Sequence, residues 1–203
     1  MQENIVALVT VRSGSTRLKM KFKREFYGKP MMERVVDAVR ESGVDEVVVA
    51  TVYADTPVIQ MCYEKRIEFF AGEENDLVNR LYLAGKAYNA DIVVRIWGDS
   101  PLVMPKWIDY ALMRFKKTRP PYYVLTTRDA VIAVTPLSEL ERLNEELKDP
   151  KTREWIHAYQ REQEGAINIV RGNDRTVDTL EDLRWARRRF LLRREKSGIP
   201  LYR

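Results

Sequence analysis

The segment Ile5-Val6-Ala7-Leu8-Val9-Thr10-Val11-Arg12-Ser13-Gly14-Ser15-Thr16-Arg17-Leu18-Lys19-Met20-Lys21 decides the reading of the whole chain. Its first part is a short apolar run rich in β-branched residues, the pattern of a strand buried on both faces of a parallel sheet. At Arg12 the composition changes to a glycine, small hydroxyl residues and four cations, Arg12, Arg17, Lys19 and Lys21. In open α/β sheets ligands lie beyond the carboxyl ends of the strands, so a basic, hydroxyl-rich loop delivered there suits a polyphosphate. Gly14 is expected to let the backbone turn closely, and free N–H groups in such a loop form an anion-binding concavity. The loop is neither GxxxxGK[ST] nor GxGxxG. A solvated loop of surface charges accounts for the same residues, and the pattern alone leaves both readings open.

Outward from this loop, apolar runs alternate with helical periodicities. Gly28-Lys29-Pro30 opens a helix in which Met31, Val35, Val36 and Val39 recur at helical spacing. Residues 47–51, 67–71, 91–96, 122–126, 131–135 and 167–171 read as further strands. Residues 56–65, 76–87, 105–117, 136–147, 151–161 and 180–196 read as helices. Strands and helices alternating at these lengths predict an α/β fold, three-layered and doubly wound around a mostly parallel sheet. The clearest linker is Thr118-Arg119-Pro120-Pro121. The expected organisation is a single domain over 1–203, with a small β insertion or dimerisation element at about 120–160.

Composition narrows the function. The chain has 203 residues, 45% of them hydrophobic, enough for a sizeable core, and no apolar run long enough to span a membrane. The single cysteine, Cys62, lies in a helical pattern and reads as a structural thiol of a protein of the reducing cytoplasm. One histidine, His157, leaves zinc sites and histidine triads poorly supplied, and as a lone histidine it reads as structural or surface. The net charge of +5 calls for an anionic partner, nucleoside triphosphate or nucleic acid. Arg184, Arg187, Arg188, Arg189, Arg193 and Arg194 in the last helix read as a solvated face. No nucleic-acid recognition motif accompanies them, which disfavours nucleic acid.

Two aspartates stand out. In Arg95-Ile96-Trp97-Gly98-Asp99-Ser100-Pro101-Leu102 a strand runs out into Gly-Asp, which puts Asp99 on the same sheet edge as the basic loop. A carboxylate there can hold magnesium that bridges phosphates; an Asx-turn or a helix cap before Pro101 is the alternative, favoured by pattern alone. In Arg175-Thr176-Val177-Asp178-Thr179-Leu180-Glu181-Asp182-Leu183, the pattern alone favours Asp178 as the N-cap of the last helix, with Glu181 completing a capping box; a metal-ligand role can coexist with it.

These segments together resemble the cytidylyltransferase family that activates acidic sugars. The nearest branch is the one named after spore coat polysaccharide biosynthesis protein F, with the CMP-Kdo and CMP-sialic acid synthetases as relatives. Val11 to Lys21 followed by Gly28-Lys29-Pro30-Met31-Met32 matches the family opening, with Lys19-Met20 in place of Pro-Gly. Arg95 to Leu102 resembles R-x-x-G-D-x-P-L, with Trp97 in place of a small or polar residue. Asp76-Leu77-Val78-Asn79-Arg80 resembles D-V-L-D-R, and Arg153-Glu154-Trp155-Ile156-His157-Ala158-Tyr159 resembles R-E-H-V-T-x-Y. The family's sugar-pocket positions fall near Asp129 and Ala133, and neither residue matches.

The resemblance implies a nucleotide-diphospho-sugar transferase-like fold and a Mg2+-dependent transfer from CTP, or another nucleoside triphosphate, to a sugar or sugar-acid acceptor. The resemblance further implies that pyrophosphate leaves, that the product serves surface polysaccharide, and that the enzyme is a homodimer, with the cytoplasm as its expected location. It also implies catalytic roles for Arg12 and Lys21, and nucleotide contacts from Arg12, Ser13, Gly14, Ser15, Arg17, Lys21, Arg80 and Gly98. Metal ligation falls to Asp99 and Asp178. The pattern of Arg80 alone suggests a surface helix residue. The attacking oxygen belongs to the acceptor, so such chemistry needs no Ser, Cys or His nucleophile. A nucleotidyltransferase using another base or a phosphorylated acceptor, a non-catalytic nucleotide-binding regulator and a basic nucleic-acid-binding protein are the alternatives.

Overall fold

The computed structural model describes residues 2–172 and 176–197, with side chains to Arg193 in the last helix; Arg175 and the Arg194 side chain lie outside the described residues. Among the described residues seven strands form one sheet: β1 (Ile5–Thr10), β2 (Glu46–Val52), β3 (Glu68–Gly72), β4 (Ile92–Trp97), β5 (Tyr123–Thr127), β6 (Val131–Pro136) and β7 (Ile167–Arg171), in the order β3-β2-β1-β4-β6-β5-β7. The pairs β3–β2, β2–β1, β1–β4 and β5–β7 are parallel; β6 runs antiparallel to β4 and β5. The hairpin of β5 and β6 therefore extends the main sheet.

The central strand shows why the sheet has a layer of helices on each side. Side chains alternate across a strand. Ile5, Ala7 and Val9 join a core with α1 (Met31–Arg40), α2 (Thr56–Lys65) and α4 (Pro105–Thr118). Val6 and Leu8 join the opposite core, with α3 (Leu77–Ala87), α5 (Leu137–Glu146) and Ile156. All five residues from Ile5 to Val9 are buried, as the continuous apolar run predicts. Cys62 is fully buried in the first core, and burial pushes its thiol up to about 12, so it is the structural thiol expected.

Two expectations need correction. The single helix expected over 151–161 is broken at Trp155 (φ −106, ψ 36) into α6 (Pro150–Glu154) and α7 (Ile156–Arg161). The arginines of α8 (Leu180–Ser197) do not form one solvated face. Arg189 Nε donates to Asp129 Oδ1 at 2.5 Å, Arg193 pairs with the same carboxylate and donates to the Leu102 carbonyl, and Arg187 donates to the Glu25 carbonyl. With Leu183 and Ala186 packed among Leu18, Phe26, Met31 and Leu102, these bonds fasten α8 across the base of the basic loop.

Candidate active site

β1 and β4 are parallel neighbours in register, Thr10 against Trp97, so both chains emerge from the sheet at one edge. From β1 the chain continues to β2 and β3 on one side, then returns to β4 on the other, which makes this edge a topological switch point. The β4 exit packs tightly on the β1 exit. Gly98 N donates to the Thr10 carbonyl at 3.0 Å, and a Cβ on Gly98 would lie 2.5 Å from Val11 Cγ2. A cleft of about 420 Å3 opens above this junction.

The basic loop forms one wall. Leu18 and Phe22 are buried and anchor it, and Ser13 N donates to Asp55 Oδ2 at 2.6 Å, a carboxylate that also caps α2. Between these anchors Arg12, Gly14 and Arg17 are exposed along the cleft. The close turn falls elsewhere than expected. A Cβ on Gly14 would meet nothing within 4 Å, and the left-handed residue is Met20 (φ 52, ψ 37), the position at which the resembling pattern carries glycine.

Lys21 closes the loop against the opposite wall. Its Nζ lies 2.5 Å from Asp99 Oδ2 and 3.1 Å from Asp178 Oδ1, while Arg17 Nη2 lies 2.9 Å from Asp178 Oδ2. Val177 N donates to the Asp99 carbonyl at 2.9 Å, which ties the two segments together. Asp178 therefore does not cap α8. The capping box forms one residue later: Asp182 N donates to Thr179 Oγ1 at 3.1 Å, and Thr179 N donates to Asp182 Oδ2 at 3.0 Å. Nor does Asp99 cap a helix. Its Oδ1 is buried and has no hydrogen-bond partner.

The rear wall comes from α3 and the α6–α7 break. Asp76 caps α3 through Asn79 N at 2.9 Å and binds Arg153, which also donates to the Asn144 and Leu147 carbonyls. That clamp presents Glu154, 3.8 Å from Arg12, and Trp155 to the cleft. Arg80 is buried, not a surface residue. It lines the cleft, and its Nη1 donates to the Glu73 carbonyl at 2.6 Å. Burial and the nearby Arg12 push its pKa down.

Of the residues singled out in the sequence, Arg12, Gly14, Ser15, Arg17, Lys21, Arg80, Gly98, Asp99 and Asp178 all line this one cleft; Ser13 turns its backbone to Asp55. The sequence reading gave no role of its own to Arg95, and placed Trp155 and His157 near the site only through the resemblance of the segment from Arg153 to Tyr159; all three line the cleft. The signal for Arg95 was present as a lone cation inside the apolar strand Ile-Val-Val-Arg-Ile-Trp. His157, expected to be structural or surface, is part-buried in the cleft wall, where burial, then Arg95 and Arg161, depress it to about 4.

The sequence model of the cytidylyltransferase family matches residues 6–178. This chain belongs to the cytidylyltransferase family. The match begins inside β1 and ends on Asp178, so it contains every element of the cleft described above except α8. An uncharacterised protein of Methanocaldococcus jannaschii is 25% identical over 197 residues, covering 89% of this chain and 80% of that one. The 3-deoxy-manno-octulosonate cytidylyltransferase of Geobacter metallireducens is 33% identical over 109 residues, covering 53% of this chain and 43% of its own length. The match thus spans less than half of that relative. Among solved structures, a cytidylyltransferase from Leptospira borgpetersenii superimposes with a TM-score of 0.82 at 25% identity, covering 97% of this chain and 96% of that one. A CMP:2-keto-3-deoxy-manno-octonic acid synthetase complexed with CTP shares the fold, with a TM-score of 0.75 at 20% identity over 94% of this chain and 99% of that one. The three-layer nucleotidyltransferase architecture expected from the sequence is the one found.

Proposed function

We propose that this cytidylyltransferase moves a cytidylyl group from CTP to a sugar acid, with magnesium bound, and releases pyrophosphate. One observation carries the reading: two carboxylates from distant segments, Asp99 and Asp178, converge on a single cation at the mouth of a basic loop. Nucleotidyl transfer needs that pairing of an anion cradle with carboxylates that hold a divalent ion. The donor set fits magnesium. Both groups supply hard oxygen, and Asp99 Oδ1 is a buried oxygen without a partner. Magnesium so held supplies Lewis acidity and charge neutralisation at the phosphates.

The side chains perform the rest by position. Arg12, Arg17 and Lys21 neutralise the triphosphate, with the backbone of Ser13, Gly14 and Ser15 following its oxygens. Gly98 keeps the β4 exit low beneath it, and Arg80 supports the rear wall. The acceptor hydroxyl then gives up its proton to solvent as its oxygen attacks the α-phosphorus, the bond from that phosphorus to the bridging oxygen breaks, and pyrophosphate leaves with the electron pair. The matches to 3-deoxy-manno-octulosonate cytidylyltransferases support a sugar-acid acceptor; a product for surface polysaccharide rests on the family resemblance of the sequence. A homodimer belongs to the same proposal.

The test is a thermal-shift panel of CTP, UTP, GTP, ATP and dTTP with and without magnesium, followed by pyrophosphate release with candidate acids. A ligand at 100 times its Kd stabilises by about 2.7 kcal/mol. A shift confined to CTP, dependent on magnesium and lost in Asp99→Ala, is expected. No shift with any nucleotide overturns the reading.

A further inference from the structure

β4 carries one cation into the interior. Along the strand, Val93 faces the core under α3, and Arg95 follows on the same face one pleat nearer the cleft. Only 9% of Arg95 is exposed, yet it lines the cleft floor beside Trp97, Gly98 and Asp99. Its register partner on β6 is Ala133, whose small side chain leaves room for a guanidinium. The guanidinium lies over the Trp97 ring at 4.1 Å, which fixes its plane. Nε and Nη1 are buried and have no hydrogen-bond partner, and among the described residues no carboxylate is paired with it.

A buried guanidinium with idle donors is costly. Proteins keep such a group where a ligand completes it. The surroundings push Arg95 down to about 10: burial first, opposed by Tyr122, then helped by Arg80, with the attraction of Asp99 weaker still. His157 stands edge-on to Trp97 at 5.8 Å, and its Nδ1 is also buried without a partner. Neutral at ordinary pH, it offers a hydrogen bond to a ligand without adding positive charge.

We propose that Arg95, held flat by Trp97 and flanked by His157, is the subsite that takes the carboxylate of an acidic acceptor, apart from the triphosphate loop of Arg12, Arg17 and Lys21. The proposal rests on the nucleotidyl-transfer reading of the cleft. A carboxylate fits better than a phosphate. The planar guanidinium fork matches two coplanar oxygens, and one cation balances one negative charge. The triphosphate already has its cations on the loop.

The test is calorimetric titration of the whole chain with 3-deoxy-manno-octulosonate, glucuronate and pyruvate, each beside its methyl ester. Titrations are run with and without magnesium and the α,β-methylene analogue of CTP. The variants are Arg95→Met and Arg95→Lys. The wild type is expected to bind at least one acid and not its ester. Arg95→Met is expected to weaken that acid by about 10-fold or more, to keep its affinity for the CTP analogue, and to melt at the same or a higher temperature, since an unpartnered buried charge is gone. Arg95→Lys, which keeps the charge and loses the fork, should fold and bind the acid more weakly than the wild type. The proposal is overturned if no acid binds the wild type, if the acid and its ester bind alike, if Arg95→Met loses the CTP analogue and keeps the acid, or if both variants unfold. Because the acid titration is also run without nucleotide, failure of the CTP reading shows separately, in the wild type's response to the analogue.

Discussion

Asp99 and Asp178 share one ammonium, that of Lys21, at 2.5 and 3.1 Å. The three residues come from the loop after β1, the turn after β4 and the segment before α8. Lys21 is mostly buried between its partners, so neither carboxylate is a solvated surface group. Replacing Asp99 or Asp178 by Asn keeps the shape and removes the charge. We expect kcat to fall about 10²-fold or more in each, a loss of about 3 kcal/mol in transition-state stabilisation. Binding of Mn2+ followed by electron paramagnetic resonance should weaken in the same variants. Near-full turnover in either would sink the metal assignment.

Two glycines of the cleft are expected to behave oppositely. In Gly98→Ala the new methyl meets Val11 Cγ2 at 2.5 Å and the Thr10 carbonyl at 3.0 Å. Overpacking of this kind costs about 1–3 kcal/mol and displaces Asp99 next in sequence. Gly14→Ala meets nothing within 4 Å, so stability should change by less than about 0.5 kcal/mol. Nucleotide affinity in Gly14→Ala should fall, because a methyl there stands where phosphate oxygens approach the backbone. Urea denaturation and nucleotide titration on the same samples separate the two effects.

Arg153 is the keystone of the rear wall, bonded to Asp76, to both the carbonyl and the side chain of Asn144, and to the Leu147 carbonyl. Its side chain is 13% exposed. Arg153→Ala removes the donor to Asp76 Oδ2 and to two carbonyls while Asp76 Oδ1 keeps its bond from Asn79 N, and a loss of about 2–3 kcal/mol is expected in chemical denaturation.

Arg66 ends α2 in the left-handed region (φ 51, ψ 49) and its side chain is exposed. Glycine adopts that conformation without the Cβ penalty. Arg66→Gly should therefore stabilise the protein by about 0.5–1 kcal/mol. An unchanged or lower melting temperature would count against the assigned cap geometry.

His157 links stability to pH. Its folded pKa, about 4, lies below the ordinary 6.5, because burial and then Arg95 and Arg161 disfavour the imidazolium. The unfolded chain therefore binds the proton more readily. The stability due to neutral His157 is complete above pH 6.5 and is lost as pH falls towards 4. His157→Gln should flatten that part of the stability–pH curve, read as denaturation midpoints across the window.

The sequence by itself determined the seven strands, the helices on both sides and the identity of most cleft residues. Hydrophobic period is a local property, so the continuous run of β1 and the helical spacing of Val35, Val36 and Val39 declare their burial without any partner being known. Lys21, Asp99 and Asp178 stand out through the family resemblance, since pattern alone leaves them open to surface, turn or capping roles. What only the tertiary structure decided was how these groups meet. Pattern favoured Asp178 as a helix cap, but Thr179 and Asp182 satisfy that end of α8, which frees Asp178 to face Lys21. Pattern gave Arg80 to the surface, but α3 lies against β3 with Gly72 beneath that side chain. In sequence Arg95 is the first residue of a family motif and one charge in an apolar strand; that its Nε and Nη1 are buried without partners, beside Trp97 and opposite Ala133, is a tertiary fact. A side chain's burial and its hydrogen-bond partners are set by what packs against it from distant parts of the chain, and no local window of sequence contains that.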